Sequence, residues 1–212
     1  MEKLKYDETT YIYKTKLDLS DYKSEMLSKC EDVIKNLPGN RTDGFGYFME
    51  KNNIDFLGNI KINNILDKII QFSINSCIEL YEQRKLPYNL IETDSWINVV
   101  RSKNPVQPNF YNGANKYHKH TDINKTMESF VPVFTYVYYI QMPNNLQNED
   151  GVLYFLGENN KEYYILPEEG DLIIMNGDLP HSPNNAENST LDRMVLAGNI
   201  GFSYIKKGKS LI

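Results

Sequence analysis

Apolar positions recur along this chain in two different periods, and the change from one to the other divides it. In the first part the spacing is three and four. Met26, Leu27, Cys30, Val33, Ile34 and Leu37 fall on one helical face, with Ser20 or Asp21 available to cap the helix and Pro38-Gly39-Asn40 to stop it. A broader stripe of Ile65, Ile69, Ile70, Phe72, Cys77, Leu80 and Tyr81 predicts a second, longer helix that ends near residues 84–87. Residues 9–17 alternate β-branched and aromatic positions with polar ones, the pattern of a strand. Residues 41–51 bear glycine and aromatics without a period and are expected to be irregular.

From residue 91 onward the character changes. Residues 96–100, 131–142, 151–156, 162–166, 171–175 and 194–202 read as short strands separated by Gly, Pro and Asn turns, the signature of an all-β barrel or sandwich. The fold class expected is mainly β with flanking helices. Residues 1–212 read as a single domain, with 1–90 a mostly helical support and 91–205 the β core. No internal repeat or linker interrupts it.

Composition narrows the picture slightly. A formal charge of −5 and a pI near 5.3, without a Lys/Arg-dense run, argue against a phosphate-backbone groove and hence against nucleic acid as a partner. Cys30 and Cys77 lie in helical, half-apolar segments and read as free thiols of a reducing compartment. The N-terminus has no apolar core of signal-peptide type and no apolar run spans a bilayer, so a cytoplasmic protein without a membrane partner is the expectation.

The chemistry concentrates in six residues. Two of the three histidines of the chain lie in Tyr117-His118-Lys119-His120-Thr121-Asp122, and the third is His181. His120, Asp122 and His181 make up the two-histidine, one-carboxylate set that holds non-haem Fe(II) by three positions and leaves the others open. Side chains two apart in an extended segment share a face, which puts His118, His120 and Asp122 together. A histidine in a polar loop is more often a solvated residue than a ligand. The clustering of the histidines, with a strand series between them, is what favours the ligand reading here. Arg193 precedes the apolar Met194-Val195-Leu196, and a guanidinium buried there needs a carboxylate partner, either protein or ligand.

These residues carry a resemblance. The region from about 96 to 203 is similar to the double-stranded β-helix (jelly-roll) core of Fe(II)- and 2-oxoglutarate-dependent dioxygenases, closest to the prolyl-4-hydroxylase-like branch and related phage-encoded oxygenases. His120-Thr121-Asp122 stands at the family's His-x-Asp, and residues 135–140 at its aromatic strand. Asp150-Gly151-Val152-Leu153-Tyr154-Phe155 resembles its Gly-Gly-x-Leu-x-Phe strand with one glycine of the two. Residues 167–175 resemble the Pro-x-x-Gly-x-Leu strand leading to the distal histidine, and Arg193 follows His181 by 193 − 181 = 12 positions. The resemblance implies Fe(II) on His120, Asp122 and His181, and 2-oxoglutarate and oxygen as co-substrates with ascorbate in support. It implies hydroxylation of a C–H bond with release of succinate and carbon dioxide. Arg193, Tyr139 and Thr135 would hold 2-oxoglutarate, with Tyr138 taking the place of Tyr139 after a one-residue slip. Asn98 and His118 would lie near a peptide or small-molecule substrate, peptidyl proline included. If the gene is phage- or virus-borne, the host cytoplasm is the compartment.

A cupin-type metal protein that makes no use of 2-oxoglutarate is the competing reading. In it His118, His120 and His181 hold the metal, with Glu128 as a poorly spaced fourth ligand and Arg193 without a task.

Overall fold

The computed structural model describes residues 2–8, 10–36, 47–50, 68, 69, 71, 72, 75, 89–100, 117–119, 130–184, 186 and 189–203. Ten strands and one complete helix lie among them: β1 (Glu2–Lys5), β2 (Tyr11–Lys16), α1 (Lys23–Asn36), β3 (Tyr47–Glu50), β4 (Asn89–Val100), β5 (Phe130–Gln141), β6 (Leu153–Leu156), β7 (Glu162–Ile165), β8 (Asp171–Asn176), β9 (His181–Pro183) and β10 (Arg193–Ser203). The chain is mainly β with flanking helical segments, as its periodicity predicts.

Two antiparallel sheets form. The larger has the order β1-β2-β8-β5-β10-β4-β3, and the smaller the order β7-β6-β9. Neighbours in the larger sheet are distant in sequence: β10 pairs with both β4 and β5, and β5 also pairs with β8. The core lies between the sheets. Val137 and Tyr139 of β5, Ile173 and Met175 of β8, Val195 and Ala197 of β10 and Ile12 of β2 meet Leu153 and Phe155 of the smaller sheet, all buried. Burying each such side chain is worth about 1.5–3 kcal/mol, and a one-residue slip in register would exchange the two faces.

The opposite face of β5 is also covered. Phe134, Tyr136, Tyr138 and Ile140 are buried, and so are Met26 of α1 and Ile69 of the second helical segment. Tyr136 faces Gly198 across the β5–β10 pair. A Cβ built on Gly198 would lie 2.5 Å from the Tyr136 phenolic oxygen, so at this position only glycine lets the ring lie over the backbone.

Turn chemistry sets where the strands of the site begin. Gly170 takes φ +80° just before β8, a conformation that a side chain would strain. The Asp171 carboxylate, almost wholly buried, accepts the Glu168 N–H at 2.7 Å and pairs with Lys14 at 2.8 Å and Lys16 at 3.4 Å. Strand β2 is thereby tied to the start of β8.

Some expectations are corrected. Residues 47–50, read as irregular, form the edge strand β3, because pairing with β4 supplies the hydrogen bonds that their own pattern does not advertise. At the entry to α1 it is Asp18 that acts, its carboxylate accepting the Ser20 N–H at 3.1 Å and hydroxyl at 2.7 Å ahead of a 3-10 turn at Ser20–Tyr22. In the second apolar stripe Ile69 is fully buried and Phe72 exposed, and Ile65, Ile70, Cys77, Leu80 and Tyr81 lie outside the described residues. Strands β1 and β9 are too short to show a period in sequence. Among the described residues no helix is long and apolar enough to cross a membrane.

Candidate functional site

His181 opens β9, the strand reached from β8 by a tight turn in which the Leu179 N–H donates to the Asn176 carbonyl at 3.0 Å. Its cross-strand partner on β6 is Phe155, a member of the inter-sheet core, so His181 lines the inner wall. The ring is 4% exposed. Its Nδ1 lies 2.8 Å from the Leu179 carbonyl oxygen, which can only accept, so the proton sits on Nδ1 and the Nε2 lone pair is presented to the interior. Burial disfavours the imidazolium and pushes the pKa down to about 4, against a smaller upward pull from the Leu179 carbonyl. A neutral imidazole of fixed tautomer, its other nitrogen tied to a backbone carbonyl, is the state in which histidine binds a divalent metal.

On the other side of β9 stands His118. The two histidines form an antiparallel bridge and exchange both backbone hydrogen bonds, at 3.1 and 3.0 Å. Directly opposed residues in such a pair project to the same face, and here the ring centroids are 4.3 Å apart with a 55° tilt. Residues 117–119 thus extend the smaller sheet by one more segment. His120 and Asp122, the other two predicted metal ligands, lie outside the described residues. Among the described residues no cluster of three metal-binding side chains occurs.

Arg193 and Tyr139 come together on the opposite wall. Val195 is the cross-strand partner of Tyr139, and Arg193 is the next residue of the same face on β10. Gln141, two residues beyond Tyr139, donates its side-chain amide to the Asp192 carbonyl at 2.8 Å and fixes the strand end beside Arg193. Arg193 is 5% exposed and Tyr139 1%. Burial raises the Tyr139 pKa to about 12, opposed by the positive charge of Arg193 and helped by the negative charge of Asp171. The phenol therefore stays a proton donor beside a permanent cation, a combination suited to a carboxylate.

The choice between Tyr138 and Tyr139 is resolved by this register. Tyr138 faces outward, its hydroxyl donating to the Leu17 carbonyl at 3.4 Å. Thr135 shares the inner face with Tyr139 but stands four residues away, roughly 14 Å at strand rise. Its hydroxyl donates to Asn199 Oδ1 at 2.9 Å, and both side chains are buried. Thr135 is therefore not adjacent to Arg193. It lies at the end of β5 that pairs with Met175, from which β8 turns into His181. Asn199, unremarked in the sequence, was legible there: it is the fourth inward position counting by twos from Arg193. Asn98 lies on β4 opposite Val195.

The outer face of the smaller sheet has a separate network. The hydroxyl of Tyr117 donates to the Glu162 carboxylate and that of Tyr154 to the Glu149 carboxylate, and burial with these partners raises both phenol pKa values.

Comparison with known proteins agrees with this arrangement. Residues 106–201 match the model of the 2OG-Fe(II) oxygenase superfamily. No curated protein sequence matches the chain. Among solved structures it is similar to a prolyl-4-hydroxylase from Pseudomonas putida, at TM-score 0.58 and 13% identity over 91% of each chain. It is also similar to HygX from Streptomyces hygroscopicus, solved with nickel and 2-oxoglutarate, at TM-score 0.53 and 12% identity over 90% of this chain and 82% of that one. A third is a prolyl hydroxylase from Trichoplax adhaerens in complex with a hypoxia-inducible-factor peptide fragment, at TM-score 0.50 and 15% identity over 91% and 83%. At these identities the likeness is one of fold: the two facing sheets are those of a double-stranded β-helix.

Proposed function

We propose, from the match of residues 106–201 to the model of the 2OG-Fe(II) oxygenase superfamily, that the protein hydroxylates a C–H bond, with 2-oxoglutarate converted to succinate and carbon dioxide. The observation that carries this reading is the buried Arg193 beside the protonated Tyr139, on the wall across the core from His181. Two of the solved structures that the chain resembles are prolyl hydroxylases, which makes peptidyl proline the first substrate to test.

The residues fit the absent groups. His181 offers Nε2, and His120 and Asp122 complete the three ligands. In an extended segment they fall on the same face as His118, one and two positions further along. Fe(II), when bound there, supplies oxygen activation coupled to decarboxylation of 2-oxoglutarate. Everything else is the work of the chain. The Arg193 guanidinium and the Tyr139 hydroxyl grip the distal carboxylate of 2-oxoglutarate and so aim its other end at the metal. Thr135 lines the pocket nearer the metal, and the apolar wall of Val137, Met175, Ala197 and Phe155 keeps water out. Asn98 and His118 flank the substrate. Ascorbate would serve only to keep iron reduced, and a cytoplasmic setting suits that requirement.

The test is direct. Purified protein with Fe(II), ascorbate, 2-oxoglutarate and proline-containing peptides should release succinate and add one oxygen atom to the peptide. Arg193→Ala and Asp122→Ala should both abolish the turnover. Succinate release that ignores the Arg193 change would overturn the reading, whereas inert proline peptides would remove only the proline assignment.

A cupin-type metal site built on His118, His120 and His181 is the second reading, favoured by the contact between the His118 and His181 rings. It requires His118→Ala to abolish metal binding and Asp122→Ala to leave it intact.

A further inference from the structure

We infer that His118 is a positioning residue for the metal centre, its ring packed against that of His181 so as to hold the ligand in one rotamer, and not itself a ligand. The inference rests on the metal-centre reading above and deepens it.

Three observations carry it. First, His118 and His181 are directly opposite across the bridge, joined by both backbone hydrogen bonds. Residues so placed have Cβ atoms about 4.5–5.5 Å apart, close enough for rings to touch. Second, the rings are in contact, with centroids 4.3 Å apart. Third, His181 is already restrained at Nδ1 by the Leu179 carbonyl and on its strand by Phe155. An imidazole hydrogen-bonded at Nδ1 can still rotate through part of its broad χ2 range. A ring lying against its flank stops that rotation. His118 and the Leu179 carbonyl together make Nε2 point in a single direction before any metal arrives, which lowers the ordering cost of binding.

The contact needs a flat ring and not a nitrogen, and that distinction is the test. Cobalt(II) alone, without 2-oxoglutarate, is titrated into the full-length wild-type protein and the variants His118→Ala, His118→Phe and His181→Ala, with metal-free thermal unfolding measured for each. The expected result is a loss of cobalt affinity of roughly tenfold in His118→Ala, the scale of an outer-shell change. His118→Phe should restore affinity to within about threefold of wild type. The metal-free melting temperature of His118→Phe should stay close to wild type. Weakening in His118→Phe equal to that in His118→Ala would make His118 a nitrogen ligand and overturn the inference. Unchanged affinity in His118→Ala would overturn it as well. His181→Ala separates this from the underlying reading: undiminished cobalt binding there would sink the metal centre itself, and the role of His118 with it.

Discussion

Arg193 stands one inward-facing position along β10 from Val195, the residue directly opposite Tyr139 on β5, so a buried guanidinium and a buried phenol share one end of the inter-sheet core. A permanent cation and a neutral phenol donor side by side suit an anion. If that anion is the distal carboxylate of 2-oxoglutarate, Tyr139→Phe removes one charge-assisted hydrogen bond, worth about 1.5–3 kcal/mol. The KM for 2-oxoglutarate should rise by roughly 10- to 100-fold with kcat little changed. Arg193→Lys should cost more than its conservative look suggests, because a point charge replaces a two-pronged donor. Steady-state kinetics in varied 2-oxoglutarate checks both, and an unaltered KM in Tyr139→Phe would remove Tyr139 from the pocket.

The tyrosine on the other face makes a prediction about stability alone. Gly198→Ala places a methyl group 2.5 Å from the Tyr136 oxygen and 2.6 Å from two ring carbons, closer than atoms tolerate. Tyr136 is fully buried and has no room to withdraw. The substitution should destabilise the fold by about 1–3 kcal/mol, the usual scale of overpacking. Chemical denaturation should show a lower midpoint, and truncating Tyr136 in the same background should recover part of the loss.

His181 ties stability to pH in the metal-free protein. Its folded pKa is lowered to about 4, while the unfolded chain titrates near the ordinary histidine value of 6.5. Between those values the unfolded state binds more protons, so stability falls as pH drops from about 6.5 to about 4, and this contribution changes no further below that. The full effect is on the order of 3 kcal/mol. Denaturation curves across that window should show the decline, and His181→Gln should flatten it.

Asp171 is a structural charge at the start of β8. Its carboxylate holds Lys14, Lys16 and the Glu168 N–H. Asp171→Ala leaves that N–H without its acceptor and frees two partly exposed ammonium groups, a loss of about 1–3 kcal/mol. The fall in melting temperature should exceed that of Glu168→Ala, whose side chain is exposed and meets only Lys16. Equal falls would assign the effect to Lys16 alone.

Much of this was written in the order of the residues. Short runs rich in β-branched and aromatic residues between Gly, Pro and Asn turns located β5, β6, β7, β8 and β10, and the three- and four-residue stripe located α1. The distal histidine and the arginine stood out because each is a chemically uncommon residue in its setting, and both are buried; His120 and Asp122 lie outside the described residues. What stayed hidden was whatever depends on a partner strand. Residues 47–50 are a strand because β4 lies beside them, and β9 is one because β6 and the His118 segment flank it.

The order of residues by itself thus determined the strands and the donor types at hand, since β-propensity and ligating chemistry are properties of local side chains. Tertiary structure alone decided which of those side chains meet. Register between strands far apart in the chain put Tyr139 rather than Tyr138 beside Arg193, paired Thr135 with Asn199, and brought the rings of His118 and His181 together. Strand pairing is set by long-range hydrogen bonds and packing, and no local stretch of sequence holds that information.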